Sequence, residues 1–87
     1  MPFNYHMDAG HGWLEVSLSE CLANGLTPED FSRFSYRSGD MLFLEEDMDA
    51  RIFDKAFQKT QGQKLKTTLR YSKTTLSNIR DMEPIRK

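Results

Sequence analysis

The chain is poor in cysteine and has no long hydrophobic run. Cys21 is its single cysteine, so no disulfide can form within the chain, which favours a cytoplasmic location. No apolar stretch approaches the roughly 20 residues that a membrane-spanning helix needs. The first residues, MPFNYHMDAG, lack the basic and apolar segments of a secretion signal. No CxxC, HxxxH or EF-hand pattern is present, so we expect no cofactor and no bound metal.

The sequence is also short and only moderately apolar. Its length of 87 residues predicts a single domain over 1–87, and its hydrophobic content is 38%. Such a domain buries a modest core, so either a few aromatic side chains supply that core or the chain pairs with a copy of itself or with another protein. Six Phe, three Tyr and one Trp make the first alternative possible. The weakly patterned segment 76–87 is expected to form a frayed tail.

The net charge of −1 conceals a division between the two ends of the chain. Residues 1–61 hold 11 acidic and 5 basic side chains, whereas residues 62–87 hold 2 acidic and 7 basic ones. The basic part suits either contacts to nucleic-acid phosphates or a solvated strand edge protected from aggregation. The candidate phosphate-binding residues are Lys64, Lys66, Arg70, Lys73 and Arg80.

Alternating apolar and polar residues predict strands near residues 3–8, 12–17, 33–37, 41–46 and 64–71. A capping box followed by Asn-Gly predicts a short helix over 17–25, and an apolar stripe of helical period predicts a longer one over 48–60. The sequence therefore predicts an α+β fold. It would contain an antiparallel sheet of four to five strands, from two hairpins and a C-terminal strand. The main helix would cover one face, and the short helix would link the hairpins.

The second hairpin is predicted to turn at Ser38-Gly39. This register would place its aromatic side chains and Met41 on the face that meets the main helix. In that helix Phe53 and Phe57 are expected to be among the most buried residues. The hairpin side chains assigned to the helix-covered face are Phe34, Tyr36, Met41 and Phe43.

The first hairpin carries the most unusual segment, DAGHGWLEV. A turn at Ala9-Gly10 places His6 opposite Trp13, so the polar residues and the tryptophan gather on one face. That face is compatible with packing of the tryptophan over the sheet, with partner binding, or with metal or acid–base chemistry. The candidate residues are His6, Asp8, His11, Trp13 and Glu15.

The acidic run LEEDMD precedes the main helix. Its carboxylates are of the type that binds divalent cations, but acidic residues are also expected where a helix begins, because they cap its N–H groups and oppose its dipole. The residues concerned are Glu45, Glu46, Asp47 and Asp49.

The runs DAGHGWLEV and FSRFSYRSGDMLFLEEDMDARIF together resemble a group of small uncharacterised proteins encoded by phages, plasmids and bacterial genomes. The matching residues are Gly10 to Val16, Ser35-Tyr36, Gly39 and Phe43 to Asp49, within roughly the first 60 residues. Similar sequences often carry cysteine where Met48 stands here, so no cysteine chemistry is transferred. The resemblance implies a mobile-element context and no particular activity.

These observations favour a small binding protein of a phage or mobile element that acts through protein–protein contacts and inhibits a host or defence factor. One alternative is a nucleic-acid-binding accessory protein that uses the basic C-terminal strand. The other is a small metal-dependent or acid–base enzyme, which is disfavoured because an open sheet surface excludes little water.

Overall fold

The computed structural model describes residues 3–7, 10–71, 79 and 82–85. Two helices, a 3-10 turn and six strands follow one another along these parts of the chain. They are β1 (Phe3–Met7), β2 (Gly12–Ser17), α1 (Leu18–Ala23), the 3-10 turn Pro28–Asp30, β3 (Tyr36–Ser38), β4 (Met41–Glu45), α2 (Asp49–Gln61), β5 (Thr67–Tyr71) and β6 (Glu83–Pro84).

The six strands form one sheet in the order β5-β1-β2-β4-β3-β6. The predicted α+β class is confirmed, but the sheet is mixed rather than wholly antiparallel, because β5 pairs parallel to β1. β1 and β4 run in the same direction, because β2 is antiparallel to both. After β4, α2 returns the chain to the end of the sheet where β4 began, so β5 runs parallel to β4 and therefore to β1. The short strand β6 pairs with β3 and adds a sixth strand to the expected four or five.

Local sequence signals account for the ends of both helices. The Ser17 side chain accepts a hydrogen bond from the Glu20 N–H at 3.1 Å, so it caps α1 as predicted. α2 ends at Gly62, whose φ of 70° is the left-handed conformation that glycine adopts at low cost. Within the described part of the chain, no helix is long and apolar enough to cross a bilayer.

The main core lies between the sheet and the two helices. Phe53 of α2 is completely buried there, as predicted, and the ring of Phe3 meets it edge-on with centroids 5.5 Å apart. Phe57 is only partly buried, and Met48 is exposed because it precedes the helix. The buried residues of this cluster, called the helix-side cluster, are Leu14, Val16, Cys21, Phe31, Leu42, Leu44, Ala50 and Phe53.

The second hairpin differs from its predicted register. It turns at Gly39-Asp40, with Gly39 at a φ of 58°, so that Tyr36 pairs with Phe43. The two buried leucines of β4 face the helices, and the aromatic residues face away from them. The prediction that Phe34, Tyr36, Met41 and Phe43 meet the main helix is therefore wrong, since Phe34 is exposed and the other three belong to a cluster on the opposite face. The alternation of residues along a strand shows which side chains share a face, but it does not determine which of the two faces a helix covers.

A second, smaller cluster fills the other face of the sheet. Its buried members are Trp13, Phe43 and Ile79, with Tyr36, Met41 and Met82 packed against them. Ile79 is 3% exposed, and β6 pairs with β3, so the expectation of a frayed end over 76–87 does not fit these residues. Apolar side chains from the end of the chain cover a face that the hairpins alone would leave in water. We call this group the far-side cluster.

Candidate binding site

The first hairpin has the predicted register, with His6 opposite Trp13. It does not present its candidate residues as one exposed patch. Trp13 is 2% exposed within the far-side cluster, while the exposed His11 ring stacks on the indole with centroids 5.8 Å apart and planes 16° apart. Asp8 lies outside the described residues. The four predicted side chains that the structure describes are thus divided between a buried indole, a stacked imidazole and a separate polar pair.

The polar pair is His6 with Glu15. The His6 Nε2 and Glu15 Oε1 atoms lie 2.8 Å apart, and Asn4 donates to the other oxygen of Glu15 at 3.4 Å. Arg70 donates to Asn4 at 3.3 Å, which extends this chain of contacts to β5. These side chains bind each other on the sheet surface. Among the residues that the structure describes, no group of three metal-binding side chains is found.

His11 and Trp13 form one wall of a cleft of about 410 Å³ beside the first turn. The rest of its lining comes from the acidic run before α2 and from the segment leading into β3. We call it the Trp13 cleft. Its lining residues are Gly10, His11, Trp13, Phe34, Tyr36, Glu45, Glu46, Asp47 and Met48. Three segments of the GHGW, YSY and LEED pattern, distant in sequence, therefore meet at one site.

The three carboxylates of the cleft have different local roles. Glu45 accepts hydrogen bonds from the N–H groups of Asp47 and Met48, at 3.0 and 3.1 Å, and so stabilises the turn before α2. Glu46 accepts from the Tyr5 hydroxyl at 3.1 Å, whereas Asp47 is exposed. These carboxylates give the cleft a negative wall, and the lining residues that the structure describes include no lysine or arginine.

Gly12 is required by packing rather than by its backbone conformation. A Cβ atom at this position would lie 2.7 Å from Cε1 of Tyr5 and 3.0 Å from Oε2 of Glu46. The missing side chain lets the Tyr5–Glu46 pair cross over the start of β2. Burial raises the pKa of the Tyr5 hydroxyl, and the charge of Glu46 raises it further, so the phenol remains a hydrogen-bond donor.

Asp49 is a buried charge that the sequence analysis assigned only to the helix start. Its side chain is inaccessible to solvent and accepts bonds from the Ser32 N–H, the Ser32 hydroxyl and the Ser35 hydroxyl. Ser35 in turn accepts from the Glu45 N–H at 2.8 Å. This network fixes the segment before β3 to the start of α2, and it thereby positions Phe34 on the rim of the Trp13 cleft.

The indole nitrogen of Trp13 is buried and has no acceptor among the described residues. A buried donor without an acceptor costs about 1–3 kcal/mol relative to a satisfied one. The rest of the Trp13 ring is well accommodated by the far-side cluster. The unpaired N–H is therefore a buried feature of a side chain that also lines the Trp13 cleft.

The predicted phosphate-binding residues are only partly described. Lys64, Lys66 and Arg70 are exposed, while Lys73 and Arg80 lie outside the described residues. β5 begins at Thr67, so both lysines precede the strand rather than belonging to it. Arg70 faces the side of the sheet that carries His6, its pairing partner in β1.

Cys21 is a core residue on α1. Burial raises the pKa of its thiol to about 12, and the Glu20 carboxylate adds to the rise, so the thiol is protonated and unreactive at neutral pH.

Comparison of the chain with protein-family models, with curated proteins and with solved structures finds no match. The geometry of the Trp13 cleft is therefore the main basis for a functional proposal.

Proposed function

We propose that the protein is a small cytoplasmic binding protein that acts through protein–protein contacts at the Trp13 cleft. Its sequence resemblance supports a phage or mobile-element origin, in which such a protein would inhibit a host or defence factor. The single observation that carries the binding proposal is the pair of exposed apolar side chains on the cleft rim. Phe34 and Met48 are 57% and 53% exposed, and both line the cleft together with its three carboxylates.

This arrangement has the composition of a protein-binding surface. Aromatic and methionine side chains are enriched in the centres of such interfaces, and their burial provides the main favourable energy. Phe34 is held by the Asp49 network below it rather than by contacts of its own ring with the core. The apolar group is therefore fixed in place and still available to a partner.

Affinity capture with a cleft variant and a matched surface variant tests this proposal. The double variant Phe34→Ser/Met48→Ser removes the apolar rim, whereas Leu22→Ser removes a side chain of similar exposure, 55%, on α1 outside the cleft. We expect a stoichiometric partner from bacterial lysate to be retained by wild type and by Leu22→Ser, and lost by the double variant. Equal capture by all three proteins would contradict the proposed site.

Nucleic-acid binding is a second proposal, supported by the exposure of Lys64, Lys66 and Arg70 near one edge of the sheet. Its local support is weaker because Arg70 already contacts Asn4, beside the carboxylate of Glu15. Nuclease treatment of the lysate separates the two proposals. Capture that depends on nucleic acid should disappear with nuclease and with Lys64→Glu/Lys66→Glu, and it should weaken steeply as salt rises.

A further inference from the structure

We infer that the Trp13 cleft binds an arginine side chain presented by a segment of the partner protein. This inference rests on the proposed function and specifies the chemistry of the partner. It follows from the charge of the cleft, from its aromatic lining and from the exposed apolar side chains Phe34 and Met48.

The charge and the aromatic rings together favour a cation. Three carboxylates belong to the lining, and the side chains of Trp13, Tyr36 and Phe34 line the same space. A cation between carboxylates and aromatic faces gains from ion pairing and from the ring quadrupoles. A neutral side chain would gain neither contribution. An anionic side chain would in addition be repelled by the carboxylates.

A guanidinium group suits this lining better than an ammonium group. The Arg33 guanidinium carbon lies 5.8 Å from the centroid of the Phe34 ring, so that ring already contacts a guanidinium. A guanidinium is planar and weakly hydrated, so it can stack on a ring and still donate several hydrogen bonds to carboxylates. An ammonium group cannot combine both contacts in the same way, so we expect arginine to bind more tightly than lysine.

The exposed apolar side chains of the cleft are a separate reason to expect a peptide rather than free arginine. Phe34 and Met48 are 57% and 53% exposed and line the cleft together with the carboxylates. Phe34 and Met48 then offer apolar contacts to the residues that flank the arginine. A peptide segment uses the charged, aromatic and apolar parts of the lining, whereas free arginine lacks the flanking apolar contacts.

Trp13 is the single tryptophan of the chain, so its intrinsic fluorescence reports directly on the cleft. We would titrate the full chain with acetyl-Leu-Arg-Leu-amide, with its citrulline and lysine analogues, and with acetyl-arginine-amide. The arginine peptide should produce a saturable change. The neutral citrulline peptide should bind at least about tenfold more weakly, since it keeps the shape of arginine but loses the charge. Acetyl-arginine-amide should also be weaker than the peptide.

Two variants locate the binding on the protein. Asp47→Asn removes one exposed carboxylate of the cleft and should weaken the arginine peptide several-fold. Glu29→Gln removes an exposed carboxylate of the 3-10 turn, outside the cleft, and should leave the affinity unchanged. Higher salt should weaken binding to wild type more than binding to Asp47→Asn.

Equal affinity for the arginine and citrulline peptides, or an unchanged affinity in Asp47→Asn, would overturn the inference. So would the absence of any saturable change with the arginine peptide. If that absence accompanied a capture that still depended on Phe34 and Met48, only the arginine specificity would fail and the binding function would stand. Binding of the peptide with no cleft-dependent protein capture would instead contradict the proposed function.

Discussion

At the scale of single residues, the shape of the cleft depends on two residues that do not line it, Asp49 and Gly12. Asp49 is inaccessible to solvent, and its carboxylate is satisfied by Ser32 and Ser35. Gly12 leaves the space that Tyr5 and Glu46 occupy. These residues hold two walls of the Trp13 cleft at a fixed separation, and a change at either one would alter a site that it does not line.

The Asp49 network makes a testable contribution to stability. Asp49→Asn replaces an acceptor by an amide whose NH₂ group faces the serine donors, so it should lower the free energy of unfolding by about 2–4 kcal/mol. The measurement is urea denaturation at neutral pH. Asp54→Asn on the same helix is the control, because Asp54 accepts only an exposed bond from Gln58, and it should cost less than about 0.5 kcal/mol. Similar midpoints for the two variants would contradict the role assigned to Asp49.

At the scale of elements, α2 is the part of the chain that organises the fold. Its apolar stripe packs on β2 and β4, and its N-terminal Asp49 fixes the segment before β3. Because it returns the chain to the far edge of the sheet, it also determines that β5 runs parallel to β1. The helix therefore sets both the core and the topology.

Phe53 should dominate the contribution of α2 to stability. Phe53→Ala removes a completely buried ring and its contacts with the rings of Phe3 and Phe57, which should cost about 3–5 kcal/mol. Thermal unfolding measures the loss, with the exposed Lys55→Ala on the same helix as the control. If the alanine variant does not fold, Phe53→Leu should still fold with a loss of about 1 kcal/mol. An unchanged melting temperature in Phe53→Ala would mean that the stripe is not core.

At the scale of the whole molecule, the sheet has a hydrophobic cluster on each face. Alternate residues of the same strands supply both, since Leu14 belongs to the helix-side cluster and Trp13 to the far-side cluster, and Leu42 and Phe43 divide in the same way. Both clusters thus share the paired strands β2 and β4, so loss of that pairing disrupts both. The two faces should therefore unfold together.

This coupling predicts coincident unfolding transitions from two probes. Fluorescence of Trp13 reports the far-side cluster, and far-ultraviolet circular dichroism reports α2 on the other face. In urea both signals should give the same midpoint, as expected for a two-state domain of this size. Phe53→Leu should shift both midpoints equally. A tryptophan transition at lower urea than the helix transition would show that the far-side cluster opens by itself.

Short-range patterns were sufficient for much of the architecture. Capping residues and the helical period located both helices, and period-two alternation located the four hairpin strands to within a few residues. The first hairpin has its predicted register, with His6 opposite Trp13, and Phe53 is buried as expected. These features depend on neighbours in the sequence, because strand alternation, caps and helical stripes all act over a few residues.

The tertiary structure alone decided which face of each strand is covered, and by what. Alternation shows that Leu42 and Phe43 lie on opposite faces, but only the position of α2 determines which of them meets the helix. Trp13 is buried because Ile79, far away in the sequence, packs against it. The Trp13 cleft likewise forms where three distant segments converge. Such contacts arise from long-range packing of the whole chain, and no local residue pattern encodes them.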